Sequence, residues 1–511
     1  MPRQFGEPPP PEMILSGPAL AAGYYSLGAV SLIPPPKFQR LLNVRTDRGS
    51  IDKRGGYSTF QAGGEMSGSG SVNSLYATQS TSARKLVAAA NTRLFGIALS
   101  DGTVTVIKTG APSAARYDFC EFDAAGTINV VGYTSTGGGY AFSWDSAAAG
   151  VTALVGPGVA CNVVMSHSRR IWAATGRTIY ITNADTIDTY VAGYSLTIKD
   201  NPEYGNIVKM VSLVRNFSLI MCERGIYTMT GSDPGTVSGT PNIVIKSLGG
   251  VGCCSNAAVV KMGEEVYFFG VETGQYGIFV ADGADIPRKL TREIEDDLDT
   301  VATSYLSTAC AVQLGTDVLF AIALGAATDT STIFVIHRET PRRPFVTWQF
   351  AKMPRSFARD MLTGTVYFGR QDLAHVAQYL PTTYNDSGTA IDMDVITGPF
   401  MAGMERMDLE EVEAHAKVVA SGSVAVSYGR DDDAVGSFTA FDTSPWSTAS
   451  SGTFMGDEGG ESYAWQGVTR YLFHSQIGVH AQSFRFRFRE NSTNNCSLYR
   501  IRAKASPKKE R

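Results

Sequence analysis

Short runs of β-branched and aromatic residues alternate along this chain with turns that carry glycine and aspartate, and the clearest such pattern lies between Glu265 and Leu298. EVYFFG from Glu265 to Gly270 and YGIFVA from Tyr276 to Ala281 predict two strands joined by a loop holding Thr273 and Gly274, a β-hairpin. Asp282-Gly283 ends the second strand, and beyond Pro287 the residues Ile294 and Leu298 fall four apart on one face of a short helical turn. A lone hairpin cannot bury both faces, so the pattern predicts copies of itself beside it.

Copies are present. Apolar runs begin at Leu86, Ile128, Ile171, Leu219, Val266, Val318 and Val366, about 42 to 52 residues apart, the period of four-stranded propeller blades. Most are followed by a second strand-like run: TVTVI from Thr103, YAFSW from Tyr140 behind a Gly137 to Gly139 turn, TIYIT from Thr178, IYTMT from Ile226, YGIFV from Tyr276, TIFVI from Thr332 and VAQYL from Val376. VTALVG at Val151 and NIVIKS at Asn242 add further strands. The expected fold is all-β: a propeller of six to eight blades, with seven counted, which leaves only short exposed edges.

The flanks differ. Residues 1–70 hold two proline clusters, Pro8 to Pro11 and Pro34 to Pro36, and the segment NVRTDRGSIDKRGGYSTF from Asn43 to Phe60; they predict an extended N-terminal arm, its Leu41, Leu42, Ile51 and Phe60 packed on the C-terminal platform. The propeller is expected over 71–389, and removal of the arm is expected to leave it folded. From 390 to 511 the pattern becomes strict alternation. Glu411, Glu413, His415 and Lys417 alternate with Val412, Ala414, Ala416 and Val418 ahead of a Ser421-Gly422 turn; Arg485, Arg487 and Arg489 alternate with Phe484, Phe486 and Phe488; Arg500, Arg502 and Lys504 alternate with Tyr499, Ile501 and Ala503. This predicts an antiparallel β-sandwich with one wet face per sheet.

Composition narrows the function. In 511 residues, 18% charged and 43% hydrophobic with 53 glycines, a net charge of −4 argues against a protein that grips nucleic acid. Seven scattered cysteines without a C-x-x-C pair predict free buried thiols, and neither a signal peptide nor an 18-residue apolar span is evident. The six histidines stand apart, and no phosphate loop, nucleophile elbow or dinucleotide fingerprint occurs. No catalytic residue, metal ligand or cofactor is therefore expected. A propeller glycosidase or depolymerase is the alternative, since Asp145, Glu223, Asp282 and Asp317 lie near strand ends; turn capping is the preferred reading for them. A non-viral propeller binding module is the other alternative. The arginine row Arg485, Arg487, Arg489 is expected to meet a carboxylate row such as Glu411 and Glu413, across the sheet or on a neighbouring subunit.

Two stretches resemble a known family. Asn43 followed by Lys53-Arg54-Gly55-Gly56 resembles the arm of bacteriophage tail nozzle proteins, also called tail tubular protein B, and the stretch from Ala258 to Leu298 is similar to a blade of such proteins and of related podovirus tail-hub proteins. The resemblance implies a structural virion protein, made in the host cytoplasm, that forms a homo-oligomeric ring, commonly a hexamer, at the distal end of a short tail. It also implies contacts with a tail adaptor protein, tail fibres or spikes and the host cell envelope, and a lumen that retains and then releases double-stranded DNA without binding it specifically. A mildly acidic chain suits such a lumen, because each basic contact would add salt-dependent affinity and slow sliding.

Overall fold

The computed structural model describes residues 12–507 apart from 17–18, 21, 27–32, 35, 47–48, 64–65, 67–69, 80–83, 114–115, 135–140, 214–216, 234, 236–241, 339–344, 402–406, 419–423, 432, 441–468 and 475–479. The proline cluster Pro8 to Pro11, the Gly137 to Gly139 run and the expected Ser421-Gly422 turn lie outside the described residues. The chain divides into two compact units, one of residues 57–335 and 352–379, the other of 1–56, 336–351 and 380–511. This division differs from the expected 1–70, 71–389 and 390–511: residues 57–70 go with the repeats, and the supposed arm forms strands of the other unit.

The first unit is a seven-bladed propeller. Each of the seven apolar runs, expected as the first strand of its copy, is instead the second strand of a blade: Lys85–Ala90, Thr127–Tyr133, Arg170–Thr175, Phe217–Cys222, Glu265–Glu272, Asp317–Ile322 and Val366–Arg370. The first strands lie innermost. Asp118–Ala124 packs on Val163–His167, which packs on Ile207–Ser212; Cys310–Leu314 packs on Pro354–Arg359, which packs on Val72–Ala77 of the first blade and closes the circle. The seventh blade consists of Pro354–Arg359, Val366–Arg370, Val376–Leu380 and, as its fourth strand, Gly56–Thr59 from the other end of the chain. Truncation at residue 60 would therefore remove a blade strand, which corrects the expectation that the arm is dispensable to the propeller.

Period-2 alternation puts apolar side chains on both faces of each blade, and neighbouring blades bury them against each other. Val87, Leu94, Tyr117, Val130, Phe142 and Trp144 fill the space between the first two blades; Trp172, Ile179, Ile207, Ile220 and Met229 fill that between the third and fourth. Each such side chain contributes about 1.5–3 kcal/mol when fully buried. In the fifth blade the hairpin is longer than expected, Glu265–Glu272 and Gln275–Ala281. Its two-residue turn has Thr273 at φ 48° and Gly274 at φ 87°, the paired left-handed conformation that matches the strands' twist. Ile294 and Leu298 beyond it are both fully buried. In the first blade the run taken from Thr103 is the fourth strand, Val104–Thr109, and the third is Arg93–Ala98.

The second unit contains two sheets. One holds Val44–Arg45, Ile51–Lys53, Cys496–Pro507, Met407–Val418 and Thr469–His474 in that order, with Glu12–Ser16 also on Cys496–Pro507 and His480–Ala481 also on Met407–Val418. The other joins Phe345–Trp348, Phe38–Leu42, Met393–Thr397, Ser483–Glu490, Ala425–Arg430 and Thr439–Ala440. Val412, Ala414, Ala416, Ile501 and Ala503 are buried on the first, and Phe484, Phe486 and Phe488 on the second, but the expected wet faces are only partly wet, because Glu413, Arg485 and Glu490 are buried as well. The sandwich is thus built from N- and C-terminal segments interleaved.

Candidate functional site

The arm residues that carry one part of the family resemblance, Asn43 and Lys53 to Gly56, lie buried in the second unit. Asn43 ends the Phe38–Leu42 strand in a left-handed conformation, φ 58°, which asparagine tolerates better than most residues. Its side chain accepts from Gln349 N at 2.8 Å and Arg54 Nε at 2.9 Å and donates to the Asp392 carbonyl at 2.8 Å. Arg54, fully buried, makes a two-pronged pair with Asp386 at 2.9 and 2.7 Å, donates to the Gln349 and Gly55 carbonyls, and lies over the Phe350 ring. Such fork-on-fork geometry satisfies a buried guanidinium that would otherwise cost several kcal/mol.

Lys53 and Gly56 are held by other contacts. The Lys53 ammonium, also buried, donates to the Glu490 carboxylate and the Ser492 carbonyl. A side chain at Gly56 is impossible without movement, because a Cβ there would lie 1.8 Å from the Asn385 carbonyl oxygen. These residues are therefore structural: they offer no open coordination position and no exposed nucleophile.

The arginine row sits differently from its sequence reading. Arg487 and Arg489 make two-pronged pairs with Asp394 (2.7 and 2.9 Å) and Asp392 (2.8 and 2.7 Å) on the adjoining Met393–Thr397 strand and its approach. Arg485, 1% exposed, donates to Gln39 Oε1 and the Asp433 carbonyl and covers the Phe438 ring. Their partners are thus Asp392 and Asp394 of the same chain, and Glu411 and Glu413 lie in the other sheet. There the register sets Glu411 against Lys504 and Glu413 against Arg502, with Arg502 Nη1 3.3 Å from Glu413 Oε2 and His415 Nε2 on Glu413 Oε1. The side chain of Glu411 lies outside the described residues. A carboxylate row does cross a cationic row, but the cationic row is Arg500, Arg502 and Lys504.

In the propeller two of the four carboxylates weighed for hydrolysis, Asp145 and Asp282, cap turns, as Asp101 and Asp233 also do. Asp101, Asp145, Asp233 and Asp282 each accept a hydrogen bond from the backbone N–H two residues on, Thr103, Ala147, Gly235 and Ala284, at 2.9–3.1 Å. Those turns join third and fourth strands, and the backbone donors at Asp282 hold its carboxyl below the usual range. Glu223 accepts from Asn206, and Asp317 is buried at the start of its strand.

Side chains also link blades that are not neighbours. Arg116, just ahead of the second blade's inner strand, donates to the Thr308 and Ala309 carbonyls of the sixth blade and the Arg355 carbonyl of the seventh. Lys209 of the fourth blade pairs with Asp118 of the second. The seven cysteines are free, and burial pushes their thiols up, to about 12 for Cys161, Cys222, Cys253, Cys310 and Cys496; such thiols are poor nucleophiles. Among the described residues no group of three or more His, Cys, Asp or Glu side chains is placed to hold a metal ion.

Sequence reasoning missed Asp386, Asp392, Asp394 and Glu490. A usable signal existed: Asp392 and Asp394 alternate in AIDMDVI with the same two-residue step as the arginines.

Compared with known proteins, the chain matches no described family and no curated protein. Among solved structures it is similar to PorZ, an essential bacterial surface component of the type-IX secretion system of Porphyromonas gingivalis, with 12% identity and a TM-score of 0.38 over 70% of this chain and 44% of that one. The chain thus spans less than half the length of that protein.

Proposed function

We propose that this chain is a structural virion protein that forms the ring-shaped nozzle at the distal end of a short phage tail. The observation that carries the reading is that Asn43, Lys53, Arg54 and Gly56 of the arm motif, one of the two stretches that resemble tail nozzle proteins, are all buried in a single unit. A motif tied to architecture in this way fits a scaffold. The turn-capping carboxylates and raised thiols give no support to hydrolytic or thiol chemistry.

In this reading the DNA lumen lies between protomers of a homo-oligomeric ring. Adaptor protein, fibres and the host envelope are met from outside the ring, and duplex DNA slides past a wall of low positive charge. Light scattering and negative-stain imaging of the purified full chain test this. A ring with a central channel is expected; a stable monomer that clears polysaccharide would replace the reading with a propeller depolymerase.

A further inference from the structure

We infer that Lys53 and Glu490 join covalently: the Lys53 amine condenses with the Glu490 carboxyl to an isopeptide bond that staples the two sheets of the second unit, and one water leaves. Lys53 ends the Ile51–Lys53 strand of the first sheet and Glu490 ends the Ser483–Glu490 strand of the second, 437 positions further along the chain. Nζ stands 2.5 Å from Glu490 Oε2, and the two side chains are 0% and 1% exposed. Val44, which faces Lys53 in register, and Met393, which faces Glu490, are buried as well. An amine and a carboxyl are thus in contact where water does not reach them.

The choice of lysine at this site is informative. A guanidinium holds a buried carboxylate better, by two parallel hydrogen bonds, as Arg54 does with Asp386. Lysine offers a point charge instead, and what it adds is an amine that becomes a nucleophile once it gives up a proton. Three other lysine–carboxylate pairs among the described residues keep contact with water: Lys209 is 18% exposed beside Asp118, Glu295 28% beside Lys289, and Lys352 51% beside Asp372. Lys53 and Glu490 are sealed on both sides.

The contacts fit each step. The ammonium passes one proton along its hydrogen bond to Oε2, which leaves an amine beside a neutral carboxylic acid. The freed lone pair attacks Cδ, and the electrons of the Cδ–Oε1 double bond move onto Oε1, which already accepts from Ser492 N at 2.8 Å. A second proton passes from the nitrogen to Oε2, the double bond to Oε1 re-forms, and Oε2 departs as water. The third hydrogen stays on the amide nitrogen, within reach of the Ser492 carbonyl that accepts from Nζ at 2.5 Å. Bulk water favours the separate ions through their hydration. Here the reactants are a buried ion pair that carries a desolvation cost, the product is neutral, and the water that would hydrolyse it is excluded. Contact in a fixed geometry corresponds to an effective concentration on the order of 10⁵ M or more.

The test is mass spectrometry of the purified full-length protein, folded and kept at neutral pH for days before it is denatured. The intact chain is expected to weigh one water less than its sequence requires. A trypsin digest is expected to yield residues 49–54, uncut at Lys53 because trypsin does not cleave after an acylated lysine, joined to residues 490–500. Lys53→Arg is expected to restore the full mass and to abolish the linked peptide. A full mass with separate peptides in the wild type overturns the inference. So does a loss of water that persists in Lys53→Arg, which would belong to succinimide formation at Asp101-Gly102 or Asp282-Gly283. Where Lys53→Arg does not fold, the wild-type digest decides alone, since the linked peptide is either present or absent.

Discussion

In the propeller a strand finds its partner in the next strand along the chain, as Glu272 and Gln275 do across a two-residue turn. In the other unit Arg54 reaches Asp386, 332 positions away, and Lys53 reaches Glu490 over 437. The two regions also differ in what they bury. Apolar side chains dominate between blades, whereas the interleaved unit encloses Lys53, Arg54, Asp386, Asp394, Arg485 and Glu490. Local pairing stabilises a blade whichever blade lies beside it, because apolar contact is not directional. Long-range pairing of short polar strands needs a contact that only one partner satisfies, and a buried ion pair supplies that selectivity. The comparison teaches that one chain uses two ways to specify strand order: repetition in one unit, paired charge in the other.

The largest effect is expected where the two ways meet in one segment. Deleting residues 1–60 removes Gly56–Thr59 from the seventh blade together with the strands Phe38–Leu42 and Ile51–Lys53 from the other unit. Loss of the fourth strand uncovers Val376 and Ala377, both fully buried, and the truncated chain is expected to yield no cooperative melting transition by circular dichroism. A propeller that still melts cooperatively would break the claim that its closure depends on the N-terminal segment.

Next in size is Arg54→Ala, expected to destabilise the protein by about 3–5 kcal/mol because Asp386 is left charged, buried and unpaired. Chemical denaturation measures it. Arg54→Ala with Asp386→Ala should recover a large part of the loss, as no buried charge is then left without its counter-ion. If the single and double variants are equally destabilised, the pair specifies nothing and the contrast with the propeller weakens.

This contrast also explains what could be read from the sequence. All seven second strands were legible, because LVAA, IWAA or VYFF are runs whose apolar character survives in any neighbourhood. The third strand Arg93–Ala98 was passed over: Gly96 interrupts its alternation, and the reason for that glycine, the Trp144 ring 2.8 Å from where a Cβ would stand, belongs to the next blade. The strands Phe38–Leu42 and Ile51–Lys53 read as an arm because each is short and half polar, and their pairing is fixed by residues hundreds of positions away. At the candidate site the motif Asn43, Lys53, Arg54, Gly55, Gly56 was legible as a motif, but not its partners. Within the chain, Arg487 and Arg489 of the arginine row meet Asp394 and Asp392 rather than Glu411 and Glu413, and Arg485 meets Gln39 and the Asp433 carbonyl; Glu411 and Asp394 are equally plausible until the strands are assigned to sheets.

A smaller effect is expected from Arg116→Met, which puts an exception inside the propeller to the test. Its guanidinium ties the second blade to carbonyls of the sixth and seventh, so it is a long-range polar contact in the repeat-built unit. Removing it leaves three inward carbonyls without that donor and is expected to cost about 1–3 kcal/mol, read as a lowered denaturation midpoint. A cost equal to that of Arg54→Ala would mean that the propeller, too, depends on a single buried cation.

The smallest effect concerns pH and again separates the two kinds of contact. His167, 2% exposed at the end of the third blade's inner strand, has Nδ1 3.1 Å from Ser212 Oγ and 3.2 Å from Ser218 Oγ, and Nε2 3.4 Å from the Gly231 carbonyl. A carbonyl cannot donate, so Nε2 carries the proton and Nδ1 accepts from the serines, which leaves the ring neutral. Burial lowers its pKa below the ordinary 6.5, and the Gly231 hydrogen bond opposes that only in part. In the unfolded chain the ring takes a proton near 6.5, while in the folded chain it does so only at lower pH. Its contribution to stability is therefore complete above about pH 6.5 and is lost as pH falls from there towards the depressed folded value. The difference in unfolding free energy between wild type and His167→Phe, followed by urea denaturation, should shift against the wild type across that window by at most about 1.4 kcal/mol per pH unit. A difference flat with pH would show that the imidazole already titrates normally in the fold, so that the joint between the third and fourth blades tolerates a charge and apolar packing alone holds the two together.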